Sequence, residues 1–146
     1  MKAYITVGIS ASGKSTFAED LCKHSTLVEI NRDNARIGLV EMSGKEFSWK
    51  DWDWKHEQDV TKACNDNIKE CANSRHSIII SDTNLNTGRR NALIKTLEDL
   101  GYEISIKEFP IELYEAIKRD SRRDNPVGES VIKKQYSHWL EYLKTK

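Results

Sequence analysis

The sequence predicts a single-domain α/β protein with a mainly parallel central sheet and helices on both faces. Three observations predict it. Apolar or β-branched runs near residues 3–7, 27–31, 77–81 and 102–109 alternate with stretches of helical periodicity. Strands separated by helices need parallel crossovers, which build three layers with ligands at the carboxyl ends of the strands. The 146 residues suffice for one such sheet and its covering helices, so residues 1–146 are expected to form one domain.

The elements follow in order. Ala3-Tyr4-Ile5-Thr6-Val7 is the first buried strand, and Phe17, Ala18 and Leu21 recur at helical spacing in the helix that starts near Lys14. Leu27 to Asn31 alternates like a second strand. Asn31-Arg32-Asp33 supplies cap-type residues before a short helix over Ala35–Val40. Glu41 to Asp53 is polar and aromatic, with Ser43-Gly44 breaking any period, and is expected to be a loop. From Trp54 to Ala72 a helix aligns Val60, Cys64, Ile68 and Cys71 or Ala72 on one stripe. Ser77-Ile78-Ile79-Ile80-Ser81 is the clearest buried strand and ends at Asp82-Thr83-Asn84. Asn91–Leu100 is helical with Leu93, Leu97 and Leu100 inward, closed by Gly101. A strand over Tyr102–Phe109 and a helix over Leu113–Lys118 follow. Beyond Pro126-Val127-Gly128, Ser130 is positioned to cap a last helix with Ile132, Tyr136, Trp139, Leu140 and Leu143 inward.

One stretch carries chemistry that the others serve. Gly8-Ile9-Ser10-Ala11-Ser12-Gly13-Lys14-Ser15-Thr16 has the spacing G-x-x-x-x-G-K-[ST] between a strand and a helix. Glycines at positions 8 and 13 permit backbone angles that turn consecutive amides inward, and the helix aims its positive end at the same anion. Gly8, Ser10, Ser12, Gly13, Lys14, Ser15 and Thr16 are thus expected to hold a nucleoside triphosphate. Lys14 would reach the β- and γ-phosphates, and the Ser15 hydroxyl would ligate Mg²⁺.

Composition narrows the setting. With only two residues before the first strand no signal peptide is expected, and no run is apolar enough to span a membrane. Cys22, Cys64 and Cys71 are odd in number and form no C-x-x-C pair, so reduced thiols and a cytoplasmic setting are expected. A formal net charge of zero argues against coating long nucleic acid, though gripping a strand end needs only a local basic patch. The histidines, at 24, 56, 76 and 138, lack metal-ligand spacing. With no N-K-x-D guanine signature, the candidates are a kinase and a nucleotide-driven switch.

Three features bear on that choice. Asp33, just past the second strand, can accept the proton of an attacking hydroxyl or merely cap its helix. Arg36, three residues on, shares its helical face and can hold an anionic part of the acceptor. Asp82 ends the central strand, where it can hold Mg²⁺ through water or orient Arg36. Thr83 and Asn84 follow in an exposed turn, placed to contact an acceptor unless they are simply turn residues. In Lys118-Arg119-Asp120-Ser121-Arg122-Arg123, a helix would put Arg119 and Arg123 on one face, either as a lid over the triphosphate or as a solvated basic surface. Trp49 and Trp52 can stack on an unpaired base, although packing of the helix against the domain is the commoner role. Arg89-Arg90 leans towards solvating a helix start.

Taken in order, G-I-S-A-S-G-K-S-T, I-N-R-D-N-A-R, I-I-S-D-T-N-L-N-T-G-R-R and K-R-D-S-R-R make the chain resemble the kinase domain of the bacteriophage polynucleotide kinase/phosphatase family. The resemblance covers nearly the whole chain. It implies a P-loop kinase fold and ATP-dependent phosphorylation of 5′-hydroxyl ends of DNA or RNA. It also implies Lys14 and Ser15 at phosphate and Mg²⁺, Asp33 as general base, and Arg36 at the acceptor phosphate. Asp82 would be the essential acid after the central strand, Thr83 would lie at the substrate, and Arg119 and Arg123 would be lid arginines on ATP, in a lid over about residues 118–128. Lys14, Asp33, Arg36, Asp82 and Arg123 form the expected catalytic set. The family's D-x-D-G-T phosphatase motif is absent, so a separate 3′-phosphatase or ligase partner is expected. The segment Glu41–Lys55 departs from the family. A kinase of a small metabolite, nucleoside or antibiotic, and a non-catalytic nucleotide-binding module, are the alternatives.

Overall fold

The computed structural model describes residues 1–146. Its strands are β1 (Lys2–Val7), β2 (Leu27–Ile30), β3 (Ser77–Ile80) and β4 (Glu103–Glu108), in spatial order β2-β3-β1-β4. Every pairing is parallel, with Ala3 opposite Ile78 and Ile104, and Val28 also opposite Ile78. The helices are α1 (Lys14–His24), α2 (Arg32–Met42), α3 (Glu57–Asn73), α4 (Thr87–Asp99), α5 (Leu113–Ser121) and α6 (Glu129–Lys144). No helix is long and apolar enough to cross a membrane.

Two apolar clusters hold the layers. Ala3, Ile5, Ile30, Ile78 and Ile80 from the sheet pack with Ile68 and Cys71 of α3 and Leu97 of α4. At the carboxyl end of β1, Val7 and Ile9 pack with Ala116 of α5 and with Ile132, Trp139 and Tyr142 of α6. Burying side chains of this size contributes about 1.5–3 kcal/mol each, so α3 and α4 are pinned to the sheet and α5 and α6 to the end of β1 where the phosphate loop begins. All three cysteines are free, Cys71 buried and the others half-buried.

Several boundaries differ from the sequence expectation, each for a local reason. α2 starts at Arg32, not Ala35, because the Asn31 side chain accepts from the Asn34 amide (2.6 Å) and caps it there. α4 starts at Thr87 because Asn86 caps it in the same way. The expected helix from Trp54 opens as a 3₁₀ turn (Trp54–His56) before α3 begins. Ser130 does not cap α6. Gly128, at φ +98°, is the cap residue and offers no side chain. On α6, Leu140 and Leu143 are exposed and Tyr142 is buried in their place, because the inward stripe runs through Ile132, Trp139 and Tyr142.

Candidate active site

The phosphate loop is shaped by close approach and by left-handed backbone. A Cβ on Gly8 would lie 2.9 Å from Ser12 Oγ, 3.0 Å from Phe109 Cβ and 3.1 Å from Phe109 O, so only glycine fits against the segment after β4. Ala11 (φ +64°) and Gly13 (φ +105°) both take left-handed angles, which turn loop amides towards one concavity. Lys14 is buried, and its Nζ donates to the Ile9 carbonyl. Burial, reinforced by the Arg123 charge, pulls its pKa down to about 8. Ser12 Oγ is buried without a partner, the one such side-chain atom in the protein. A destabilised ammonium in a loop of left-handed backbone at the start of α1 suits an anion rich in acceptor oxygens. The Ser10 amide is held by Gln135 Oε1 of α6 at 2.8 Å.

Across the loop, the turn after β3 is stapled to β1. Thr6 Oγ1 donates to the Asp82 carbonyl (2.8 Å), and the Gly8 amide donates to the Thr83 carbonyl (3.1 Å). Asp82 Oδ1 accepts from the Arg32 amide (2.8 Å) at the start of α2, and burial raises its pKa to about 6. Asn84, expected at the acceptor, does not line the cavity. It sits at φ +49° and its amide donates to the carbonyls of Thr6, Ile80 and Asp82, so it locks the turn. Arg90 is also more than a solvated helix start. It is buried, donates to the Asn84 carbonyl (2.9 Å) and lies 4.6 Å from the Tyr142 ring.

The side facing α2 is a side-chain network. Because Asn31 caps α2, the Asp33 carboxylate is not consumed as a cap. It is half-exposed, with Oδ1 accepting from Arg36 at 2.7 Å. Arg36 is held from its other edge by Glu57, which takes Nε at 2.9 Å and Nη2 at 2.7 Å in a two-point fork. Glu57 also takes Arg32 Nη2 (3.1 Å) and Trp52 Nε1 (3.0 Å). The Arg36 bond, against some desolvation, pulls the Glu57 carboxyl down to about 2. Arg36 is thus oriented by Glu57 and Asp33, while Asp82 is engaged with the Arg32 backbone. Trp52 is buried and tied to Glu57, so it is not open for stacking.

The arginine segment closes the remaining side. α5 ends at Ser121, so Arg123 leaves from the following turn and does not share a helical face with Arg119, yet both line the cavity. Asp120 fixes that turn. It is 2% exposed and accepts from the Val127 amide (3.1 Å), the Gly128 amide (2.9 Å) and Arg123 Nη1 (3.4 Å).

One cavity of about 780 Å³ gathers these pieces. Ser10, Gly13, Lys14, Ser15, Thr16, Asp33, Arg36, Asp82, Thr83, Arg119 and Arg123 all line it, whereas Gly8 and Ser12 shape the loop from behind. Cations from Lys14, Arg32, Arg36, Arg119 and Arg123 outweigh the carboxylates of Asp33 and Asp82, so a polyanion is favoured. No cluster of three or more His, Cys, Asp or Glu is placed to hold a metal alone. Ser15 and Asp82 offer an oxygen-only set that phosphate oxygens and water would complete, which suits a hard divalent cation. Glu57, Asp120 and Gln135 went unnoticed in the sequence. An acid flanked by Lys118, Arg119, Arg122 and Arg123 was the available signal for Asp120, and an acid opening a helix after three tryptophans was that for Glu57.

A strand, phosphate loop and helix, an acid after β3 and two arginines lining the cavity from the end of α5 and the turn after it define a P-loop domain of the kinase type. The chain belongs to the AAA domain family, which matches residues 4–144. It is 29% identical over 145 residues to a protein of Autographa californica nuclear polyhedrosis virus that carries the name bifunctional polynucleotide kinase/RNA ligase. That alignment covers 94% of this chain and 20% of the viral protein. It is also 29% identical over 134 residues to the L-seryl-tRNA(Sec) kinase of Methanococcus maripaludis, covering 90% of this chain and 50% of that enzyme. A chain in the structure of the Pnkp1/Rnl/Hen1 RNA repair complex superposes with a TM-score of 0.81 at 25% identity, covering 99% of this chain and 46% of the other. The chain therefore spans half or less of the length of these proteins.

Proposed function

We propose that this domain transfers the γ-phosphate of ATP to the 5′-hydroxyl end of DNA or RNA. The observation that carries the proposal is the pair Asp33–Arg36, joined at 2.7 Å on the wall of the cavity that also contains the phosphate loop. Arg36 fixes one oxygen of the Asp33 carboxylate, which leaves the other to accept the proton of an incoming hydroxyl. The rest of the guanidinium surface is placed to hold the phosphate that follows the first nucleotide. Lys14 and the loop amides hold the β- and γ-phosphates, and Arg119 and Arg123 neutralise charge on the transferring group. Mg²⁺, with Ser15 and Asp82 as its protein oxygens, would neutralise phosphate charge and fix the triphosphate in line with the acceptor. Similarity to a polynucleotide kinase/RNA ligase and to a chain of an RNA repair complex supports a nucleic-acid end as acceptor. It also supports a ligase, with or without a 3′-phosphatase, as functional partner.

The test is label transfer from γ-labelled ATP to a 5′-hydroxyl oligonucleotide, a nucleoside 3′-monophosphate and a free nucleoside. Transfer to the first two without the third is expected, since Arg36 needs a phosphate. Labelling of the free nucleoside as fast as the others would point to a small-metabolite kinase. Asp33→Ala should slow transfer by about 10²–10⁴-fold with ATP binding unchanged. Full activity in that variant would remove Asp33 as the base.

A further inference from the structure

The aromatic residues of the segment before α3 divide into two kinds. Trp52 is 7% exposed and anchored to Glu57, and it does the packing. Trp54 is 62% exposed, although an indole is among the largest apolar surfaces a protein can hide. It is not loose. Trp54 stacks on Trp49 with ring centres 6.1 Å apart and planes 19° apart, and Phe47 meets Trp49 edge-on at 5.2 Å. Phe47 in turn packs on Trp52, with ring centres at 6.2 Å. The result is a ladder of rings, fixed in the protein interior at one end and presenting an open indole at the other. Both Trp49 and Trp54 line the cavity, with the Arg36 guanidinium carbon 5.4 Å and 5.8 Å from their ring centres. A cation that can hold a phosphate is thus placed directly against two indole faces.

In a nucleotide strand a phosphate is never more than one sugar away from a base. We infer that Trp54, backed by Trp49, is a stacking shelf for an unpaired base in the first two nucleotides of the acceptor. The inference rests on the polynucleotide reading above and adds a selection rule to it. Stacking on an aromatic face is indifferent to base identity, so the shelf does not read sequence. It does require a base free of its own strand partners. Single-stranded or overhanging 5′ ends are therefore favoured over recessed ends, where the complementary strand would have to occupy the same space. Neither Asp33 nor Arg36 imposes that distinction, because both act on the sugar-phosphate part.

The experiment compares wild type, Trp54→Ala, Trp54→Leu and Trp54→Phe on one 5′-hydroxyl oligoribonucleotide, presented single-stranded, recessed in a duplex, and with abasic sites replacing its first two bases. Circular dichroism and ATP binding first establish that each variant is folded; Trp54 is exposed, so both should match wild type. On the single strand, Trp54→Ala and Trp54→Leu should lose about 5- to 100-fold in kcat/KM, the range a stacked base is worth, while Trp54→Phe keeps most of it. On the abasic strand the four proteins should be equal, and on the recessed end the wild-type advantage should shrink. Equal rates for all four on the intact strand, or a Trp54→Ala defect that persists undiminished on the abasic strand, would overturn the shelf and leave Trp54 as a support for Arg36. Tryptophan-fluorescence titration with the same strand, without ATP, separates this from the fate of the kinase proposal. Binding weakened in Trp54→Ala by the same factor supports the shelf even if no strand is phosphorylated. No binding by the wild-type protein sinks it.

Discussion

The two walls of the cavity are built by different means. The donor wall, from the phosphate loop to the α5–α6 turn, is held largely by backbone. Gly8 fits because it lacks a Cβ, the Gly8 amide bonds the Thr83 carbonyl, and Asp120 gathers the amides of Val127 and Gly128. The acceptor wall depends on a single side chain. Glu57 binds Arg32, Arg36 and Trp52, reaching back 25, 21 and 5 residues along the chain. Apart from Asp120, the donor wall leans on backbone and tolerates many side chains, whereas the acceptor wall hangs on one carboxylate shared by three side chains. On the proposed reading, the donor wall suits a constant co-substrate and the acceptor wall suits changing what it accepts.

The comparison breaks most readily at Glu57. Glu57→Ala takes the carboxylate from Arg32 and one of two from Arg36, and removing one partner from such a part-buried network costs about 2–4 kcal/mol. The expected outcome is a loss of about 10²-fold or more in kcat/KM for an oligonucleotide acceptor, with ATP affinity within about threefold of wild type. Equal damage to ATP binding, measured by calorimetry, would show that the walls are one cooperative unit.

Next in size is Asp120→Ala, which should do the reverse. Three part-buried hydrogen bonds go, so the turn carrying Arg123 loosens. KM for ATP should rise by about tenfold, while KM for the acceptor stays within about twofold. A rise confined to the acceptor would sink the assignment of this turn to the donor wall.

The smallest effect separates stability from activity. Asp82 has a folded pKa raised to about 6 from an ordinary 3.8, so keeping it ionised destabilises the ligand-free protein. The penalty is absent below the ordinary value, grows between pH 3.8 and about 6, and is fully present above that. Asp82→Asn, which can still accept from the Arg32 amide, should therefore raise Tm at pH 8 by several degrees, corresponding to about 1–3 kcal/mol, and the gain should shrink as pH falls through 6. Transfer should fall in the same variant. A lower Tm at pH 8 would mean that the charge is satisfied in the folded state.

What was legible in the sequence follows the same division. The phosphate loop could be recognised because its geometry is local: glycines, lysine and serine act within nine residues between a strand and a helix. The α/β fold was legible for the same reason, since each strand and helix announces its own period. Glu57 was not, because nothing within the polar segment around it says which arginines α2 will bring near. Asn84 and Arg90 were misjudged because polar residues beside a strand end look alike whether they face a ligand or fold back onto the turn. Leu140 and Leu143 were misplaced because the α6 stripe was assigned without knowing that Tyr142 reaches Arg90. That Asp33 is not the cap of its helix was equally illegible, because only the fold shows Asn31 taking that place.

The strand order carries a consequence for how the chain comes into being. Lys2 lies opposite Glu103, and Ala3 opposite Ile78, so β1 has no partner strand until more than seventy residues further along the chain. No two adjacent strands can form a hairpin, because all of them are parallel. During synthesis the phosphate loop emerges well before β4 and the Phe109 segment that brace Gly8, and it waits unsupported until they arrive. A fragment ending before that point carries the whole nucleotide motif without a nucleotide site. Such long-range closure predicts slow folding, with an interval in which the apolar β1 edge must be shielded during synthesis.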